Sequence, residues 1–277
     1  MAITRPKPTT ASAAPTQSPV IATTARAASP SPNGGAVKFV RRDTASVNRR
    51  MIISVCGEEK AGKNYFSFTF PSPIYVHSFD IGLEGTIDQF VAKKEIYVAE
   101  YELEVQPGMA EPREVAEAAS ALWSNFVGNY KDSLASAKRG TVVIDTDSEV
   151  YELLRLARFG KLSQILPHNY APVNAEFRDV VRSAYDHQCN LFLIGRMADE
   201  WINDNNGKGN KTGNRVRRGF SDLPYLTQIN ALCERVDRDG GGSDFQAVIE
   251  SCRFNPECNG ATVGNDYDAL RLAVFGE

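Results

Sequence analysis

The stretch ISVCGEEKAGKNYF, residues 53–66, sets a short apolar run directly against two glycines and a lysine. Gly57, Gly62 and Lys63 fit the pattern G-x-x-x-x-G-K-[ST], a loop that wraps phosphate between a buried strand and a helix. Asn64 stands where that pattern calls for Ser or Thr. Each matching residue has a physical task. Gly57 permits a sharp exit from the strand, Gly62 lets the backbone come close, and Lys63 reaches the β- and γ-phosphates. The loop's N–H groups and the start of the next helix would offer unpaired donors and positive dipole to an anion. The expected nucleotide-binding set is Gly57, Glu58, Glu59, Lys60, Ala61, Gly62, Lys63, Asn64 and Tyr65, with ATP as the ligand.

A second signal lies 82 residues beyond Lys63. The run TVVI (141–144) leads into Asp145, an acid-tipped strand of the kind that organises Mg²⁺ in phosphoryl-transfer enzymes. Asn64 and Asp145 are thus the candidate metal residues. Mg²⁺ takes hard oxygen ligands at short, rigid distances, and the Asn64 carbonyl is about one bond further out than a hydroxyl. Glu58 and Glu59 add two negative charges beside the phosphates. These departures leave two outcomes open: hydrolysis, or binding with slow or absent turnover.

Outward from these motifs, MIISVC (51–56) reads as a strand covered on both faces, and PIYVHSFDIG (73–82) as a second that leaves Asp80 at its end. Residues 112–136 carry Val115, Ala118, Ala119, Leu122, Phe126, Tyr130 and Leu134 on one helical face, with Pro112 at the start. GTVVIDTD (140–147) and NLFLIG (190–195) predict two more strands, and FQAVIESCRF (245–254) a late one. Helices are expected around Val150–Ala157 and Phe177–Tyr185. Strands alternating with helices predict an α/β fold with a mostly parallel sheet.

Composition sets the frame. The chain has 277 residues, enough for one large domain or two small ones, with 42% hydrophobic and 23% charged residues, as in soluble globular proteins. No apolar run approaches the roughly 18–20 residues that a membrane span needs, and no hydrophobic secretory segment opens the chain. Five cysteines without a C-x-x-C pair, beside three histidines, predict reduced thiols and a cytoplasmic protein. Cys252 and Cys258 lack the spacing and partners of a zinc site. The net charge of −3 hides an asymmetry: residues 1–50 hold eight basic side chains against one acid, and the remainder 23 against 33. Residues 1–46, rich in Ala, Ser, Thr and Pro, are expected to be a disordered basic tail ahead of a domain over 47–277. A solvated linker, a nucleic-acid arm and a transit segment all fit such a tail.

The segment NNGKGNKTGNRVRRG (205–219) has five basic residues, Lys208, Lys211, Arg215, Arg217 and Arg218, several glycines and no acid. It predicts a mobile cationic loop, suited to a polyanion backbone or simply solvated. Loop, acid-tipped strands, NLFLIGR and this polar segment together resemble RecA-like P-loop ATPases over about residues 50–275, in particular the short ones of bacteriophages tied to single-strand annealing and recombination. The resemblance implies a RecA-like P-loop NTPase fold, ATP and Mg²⁺ as cofactors, single-stranded DNA as partner, and a homo-oligomer. It implies catalytic roles for Lys63 and for a carboxylate after the second strand, Glu84 or Asp80, that positions water. It also implies γ-phosphate sensing by Arg196, although an arginine at a strand end more often serves as a surface ion-pair partner. A binding module without turnover and a small-molecule P-loop kinase remain as alternatives.

Overall fold

The computed structural model describes residues 49–80, 82–203 and 209–276. The expectation for residues 1–46 lies outside them. The order of elements is β1 (Ile52–Gly57), α1 (Lys63–Thr69), β2 (Ile74–Ser78), β3 (Ile96–Glu100), α2 (Pro112–Ala137), β4 (Thr141–Asp145), α3 (Asp147–Phe159), α4 (Tyr170–Ser183), β5 (Asn190–Ile194), β6 (Met197–Asn203), β7 (Gly209–Arg217), α5 (Leu223–Leu226), β8 (Ile229–Asp237), β9 (Ser243–Cys252), β10 (Thr262–Gly264) and α6 (Tyr267–Phe275).

Eight strands form one sheet in the order β10-β9-β8-β1-β5-β4-β2-β3. The six from β8 to β3 run parallel, while β9 and β10 add an antiparallel edge. The continuous apolar runs of β1, β4 and β5 follow from burial on both faces, because successive side chains point to opposite sides. Ile52, Val142, Ile144, Leu191 and Leu193 join one core with α2, α3 and α4. Ile53, Val55, Val143, Phe192 and Ile194 join the other, with α1 and α6. Strand β5 lies between the loop-bearing β1 and the acid-tipped β4, in a mostly parallel central sheet flanked by helices.

The predicted helix over 112–136 is found at Pro112–Ala137, and its buried face (Val115, Ala119, Trp123, Phe126, Tyr130, Leu134) repeats every three to four residues. Helix α3 starts at a Thr146 cap and ends at Gly160, whose φ is +65°. A Cβ at Gly160 would stand 1.8 Å from the Pro112 carbonyl oxygen, so the α2–α3 junction requires glycine. Among the described residues no helix is long and apolar enough to cross a membrane. All five cysteines are free and buried.

The mobile loop expected at 205–219 is not what the structure shows. Residues 204–208, with Lys208, lie outside the described residues, but 209–217 form β7, paired antiparallel with β6. The reason is charge on the opposing strand. Asp199 accepts from Lys211 at 2.5 Å and from Arg215 at 2.9 Å, and Glu200 accepts from Thr212 at 2.7 Å and Asn214 at 3.0 Å. The acids that hold the basic strand sit just upstream of the window whose lack of acids suggested a loop.

His77 on β2 is buried and bonded through its two ring nitrogens to the Tyr101 hydroxyl and the Ser133 hydroxyl, both at 2.9 Å. Burial lowers its pKa to about 4. The unfolded chain takes up this proton near pH 6.5 and the folded one only near pH 4. The stability tied to neutral His77 is therefore fully present above pH 6.5 and is lost as pH falls toward 4, up to about 3 kcal/mol. Urea midpoints of His77→Gln should change less between pH 7 and pH 5 than those of the unsubstituted protein. Equal changes would refute the assignment.

Candidate phosphate-binding site

The site is built at the carboxyl edge of the parallel strands. Gly57, the last residue of β1, pairs with Cys233 of β8, and a Cβ there would lie 2.5 Å from the Cys233 carbonyl oxygen. Only glycine lets the chain leave the sheet at this point. Glu58, Glu59 and Lys60 are exposed, Lys60 with φ +58°, while Ala61 is buried. Gly62 has φ +82°, a left-handed conformation that glycine adopts without strain, and its carbonyl accepts from Asn265 Nδ2 at 2.9 Å.

Lys63 bends back over the loop. Its ammonium donates to the carbonyls of Gly57 (2.8 Å) and Glu58 (2.7 Å), which uses two of its three N–H groups and sets the charge inside the loop's curve. Burial lowers its pKa, opposed by Asp145 and Glu58 among others.

Asn64 explains its own departure from the pattern. Its Nδ2 donates to Asp145 Oδ2 at 3.0 Å, so the amide ties the loop to the β4 acid across intervening β5. A carboxylate can only accept, so the amide nitrogen faces it and Oδ1 is the atom left for a cation. Asp145 is 2% exposed. Burial and then nearby Asp80 raise its pKa to about 7, against the Asn64 hydrogen bond and the charges of Lys63 and Arg196. Its ionised form is short of positive charge. Among the described residues no three His, Cys, Asp or Glu side chains gather as a metal cage. One carboxylate and one amide oxygen suit Mg²⁺, which draws its other ligands from phosphates and water.

Of the two candidate water-positioning acids, Asp80 is brought to the site. It pairs with Arg196 at 2.9 Å, while Glu84 stands exposed in a turn beyond it. Arg196 also pairs with Glu149 on α3, a residue the sequence reading did not single out. Arg196 is thus an ion-pair partner at the strand end, placed within the same acidic group as Asp145. Tyr65 is partly exposed on α1 and its ring meets Phe90 edge-on.

The β6–β7 hairpin reaches this site. Arg215 donates to both oxygens of Glu58, at 2.8 and 3.1 Å, and so neutralises one of the two acids that look misplaced beside phosphate. Arg217 passes under Gly195, where a Cβ would stand 2.7 Å from its Nη2, and bonds buried Asp147 and Ser54. Arg218 pairs with Glu152. The described cations of the expected DNA loop are therefore all matched by acids, three of them on elements of the phosphate site. For Asp147 and Glu152 the sequence signal is the acid-rich cluster DTDSEVYE (145–152) that follows β4.

No protein-family model matches this chain, and no curated protein matches it in sequence. Among solved structures it is similar to an ATPase from the type III secretion system of pathogenic bacteria, at 12% identity and TM-score 0.37, over 68% of this chain and 52% of that one. It is also similar to the Legionella pneumophila ATPase DotB, at 8% identity and TM-score 0.32, over 76% of this chain and 47% of that one. The chain thus spans about half the length of these structures.

Proposed function

We propose that the chain binds ATP with Mg²⁺ at the 57–65 loop and hydrolyses it. The observation that carries this reading is the closed linkage Lys63–loop–Asn64–Asp145, which sets a cation for phosphate and a carboxylate for the metal side by side. Lys63 would neutralise phosphate charge, Asn64 and Asp145 would hold the metal, and Asp80, paired with Arg196, would accept a hydrogen bond from the attacking water. Bound Mg²⁺ would supply charge neutralisation at the transferred phosphoryl group. Five free, buried cysteines support a reducing, cytoplasmic setting. Phosphate release from ATP by the full chain, with and without Mg²⁺, tests the proposal. Binding without release would leave a nucleotide-dependent module, and no binding would remove the reading altogether.

A specific observation favours single-stranded DNA as partner, and with it a role in recombination or replication. Trp201 on β6 is 58% exposed with the Lys211 ammonium 5.4 Å above its ring, and neighbouring Ile202 is exposed as well. An exposed indole beside a cation is a stacking platform for a base with its phosphate. The arginines are poor probes, because Arg215 and Arg217 also hold the phosphate site. Trp201→Ala should weaken binding of oligo(dT) by about fivefold or more and leave ATP binding intact. Unchanged DNA affinity would remove the hairpin from the proposal. Self-association belongs to the same reading, and light scattering with ATP present tests it.

A further inference from the structure

Beyond the phosphate cradle, strands β8 and β9 run on past the point where β1 ends. β1 stops pairing at Gly57 opposite Cys233, whereas β8 continues through Glu234–Asp237, paired with Ser243–Gln246. This extension stands as a wall beside the loop. Phe245 faces the loop from it: a Cβ built on Gly62 would meet the Phe245 Cδ1 at 3.1 Å and its Cγ at 3.4 Å. Phe245 is 44% exposed and, among the described residues, belongs to neither buried core and pairs with no other ring. A large aromatic side chain so placed touches the loop with an edge and leaves much of its surface to solvent.

The polarity of the site gives that surface a use. The groups suited to metal and water, Asp145, Asp80, Arg196 and Glu149, all lie on the β5–β4–β2 side of β1. A nucleotide with its terminal phosphate toward those groups and its chain of phosphates over Lys63 must send its base the opposite way. On that side stand β8 and β9. We infer that Phe245 is the stacking wall for the base of the bound nucleotide, so that the β8–β9 extension, and not only the loop, sets affinity for nucleoside triphosphates over inorganic polyphosphate. This inference rests on the proposed nucleotide reading. An aromatic ring stacks on any base through its π-face, so the contribution concerns the presence of a base more than its identity.

The test uses the full chain with Mg²⁺ and two probes, ATP and inorganic tripolyphosphate, titrated calorimetrically. Phe245→Ala should weaken ATP by about fivefold or more and leave tripolyphosphate within about twofold. Phe245→Leu keeps an apolar contact against Gly62 without the π-face and should fall between, while Phe245→Trp should retain ATP affinity. If ATP binding is unchanged in Phe245→Ala, or if both probes weaken equally, the wall is not a base site. Lys63→Ala in parallel separates the two readings. If it weakens both probes while Phe245→Ala weakens neither, the phosphate loop stands and only the base wall falls. If the unsubstituted protein takes up neither probe, both fall together.

Discussion

Lys63→Ala is expected to weaken binding of ATP with Mg²⁺ by about 1.5–3 kcal/mol, roughly ten- to 150-fold, the size of a lost charge-assisted hydrogen bond. The geometry gives the reason. The ammonium sits within hydrogen-bond reach of two loop carbonyls and has a third N–H to offer. Removing it takes away the central positive charge and leaves Glu58 and Asp145 less compensated beside incoming phosphate. The loop also loses the bonds that close it, so a urea midpoint must accompany the titration. A stable Lys63→Ala protein with undiminished ATP affinity would overturn the phosphate-binding assignment.

The second large effect concerns stability. Asp147 is 2% exposed and accepts from Arg217, whose side chain is 14% exposed and also reaches Ser54. Burial raises the Asp147 pKa to about 6, with Arg217 holding it down. Arg217 Nε is buried without a hydrogen-bond partner, so Asp147 carries most of the compensation for a charge that cannot be discharged. Asp147→Ala should cost about 3–5 kcal/mol, the penalty for stranding a buried ion. Arg217→Met should cost less, because the carboxyl left behind can take up a proton. The double variant Asp147→Leu with Arg217→Met should lie nearer the unsubstituted protein than Asp147→Ala does. Denaturant unfolding of the three reads this order directly. If Asp147→Ala proves the mildest, the pair is not the anchor of the hairpin.

That anchor matters for the site. The hairpin is tied at its base through Arg217 to β1 and the start of α3, and along its length through Arg215 to Glu58 of the loop. Any ligand that displaces Glu58 from Arg215 acts on the hairpin as well. The exposed Arg215–Glu58 pair contributes little to stability itself. Its consequence is positional.

The sequence by itself determined the α/β class, the strands β1, β4, β5 and β9, the long helix α2, and the loop with its lysine. These rest on local rules: continuous apolar runs for strands buried on both faces, a three-to-four residue period for helices, and glycines where the backbone must turn sharply. Asp145 was legible because an acid at the tip of a buried strand is conspicuous. What only the tertiary structure decided are the pairings between segments far apart in the chain. Asn64 looked like a defect until Asp145, 81 residues away, took its amide hydrogen. The sequence left Asp80, with the better position, and Glu84, with the usual residue type, both open; Arg196, more than 100 residues later, pairs with Asp80. The basic run at 209–218 read as part of a mobile loop because its compensating acids lie on β6, on the loop after β1 and on α3. Phe245 gave no signal at all, since an aromatic in a strand is ordinary until Gly62 is found beneath it. Local propensity acts over a few residues, whereas charge compensation and ring contact act across folded distances, and those distances exist only once the sheet has ordered its strands.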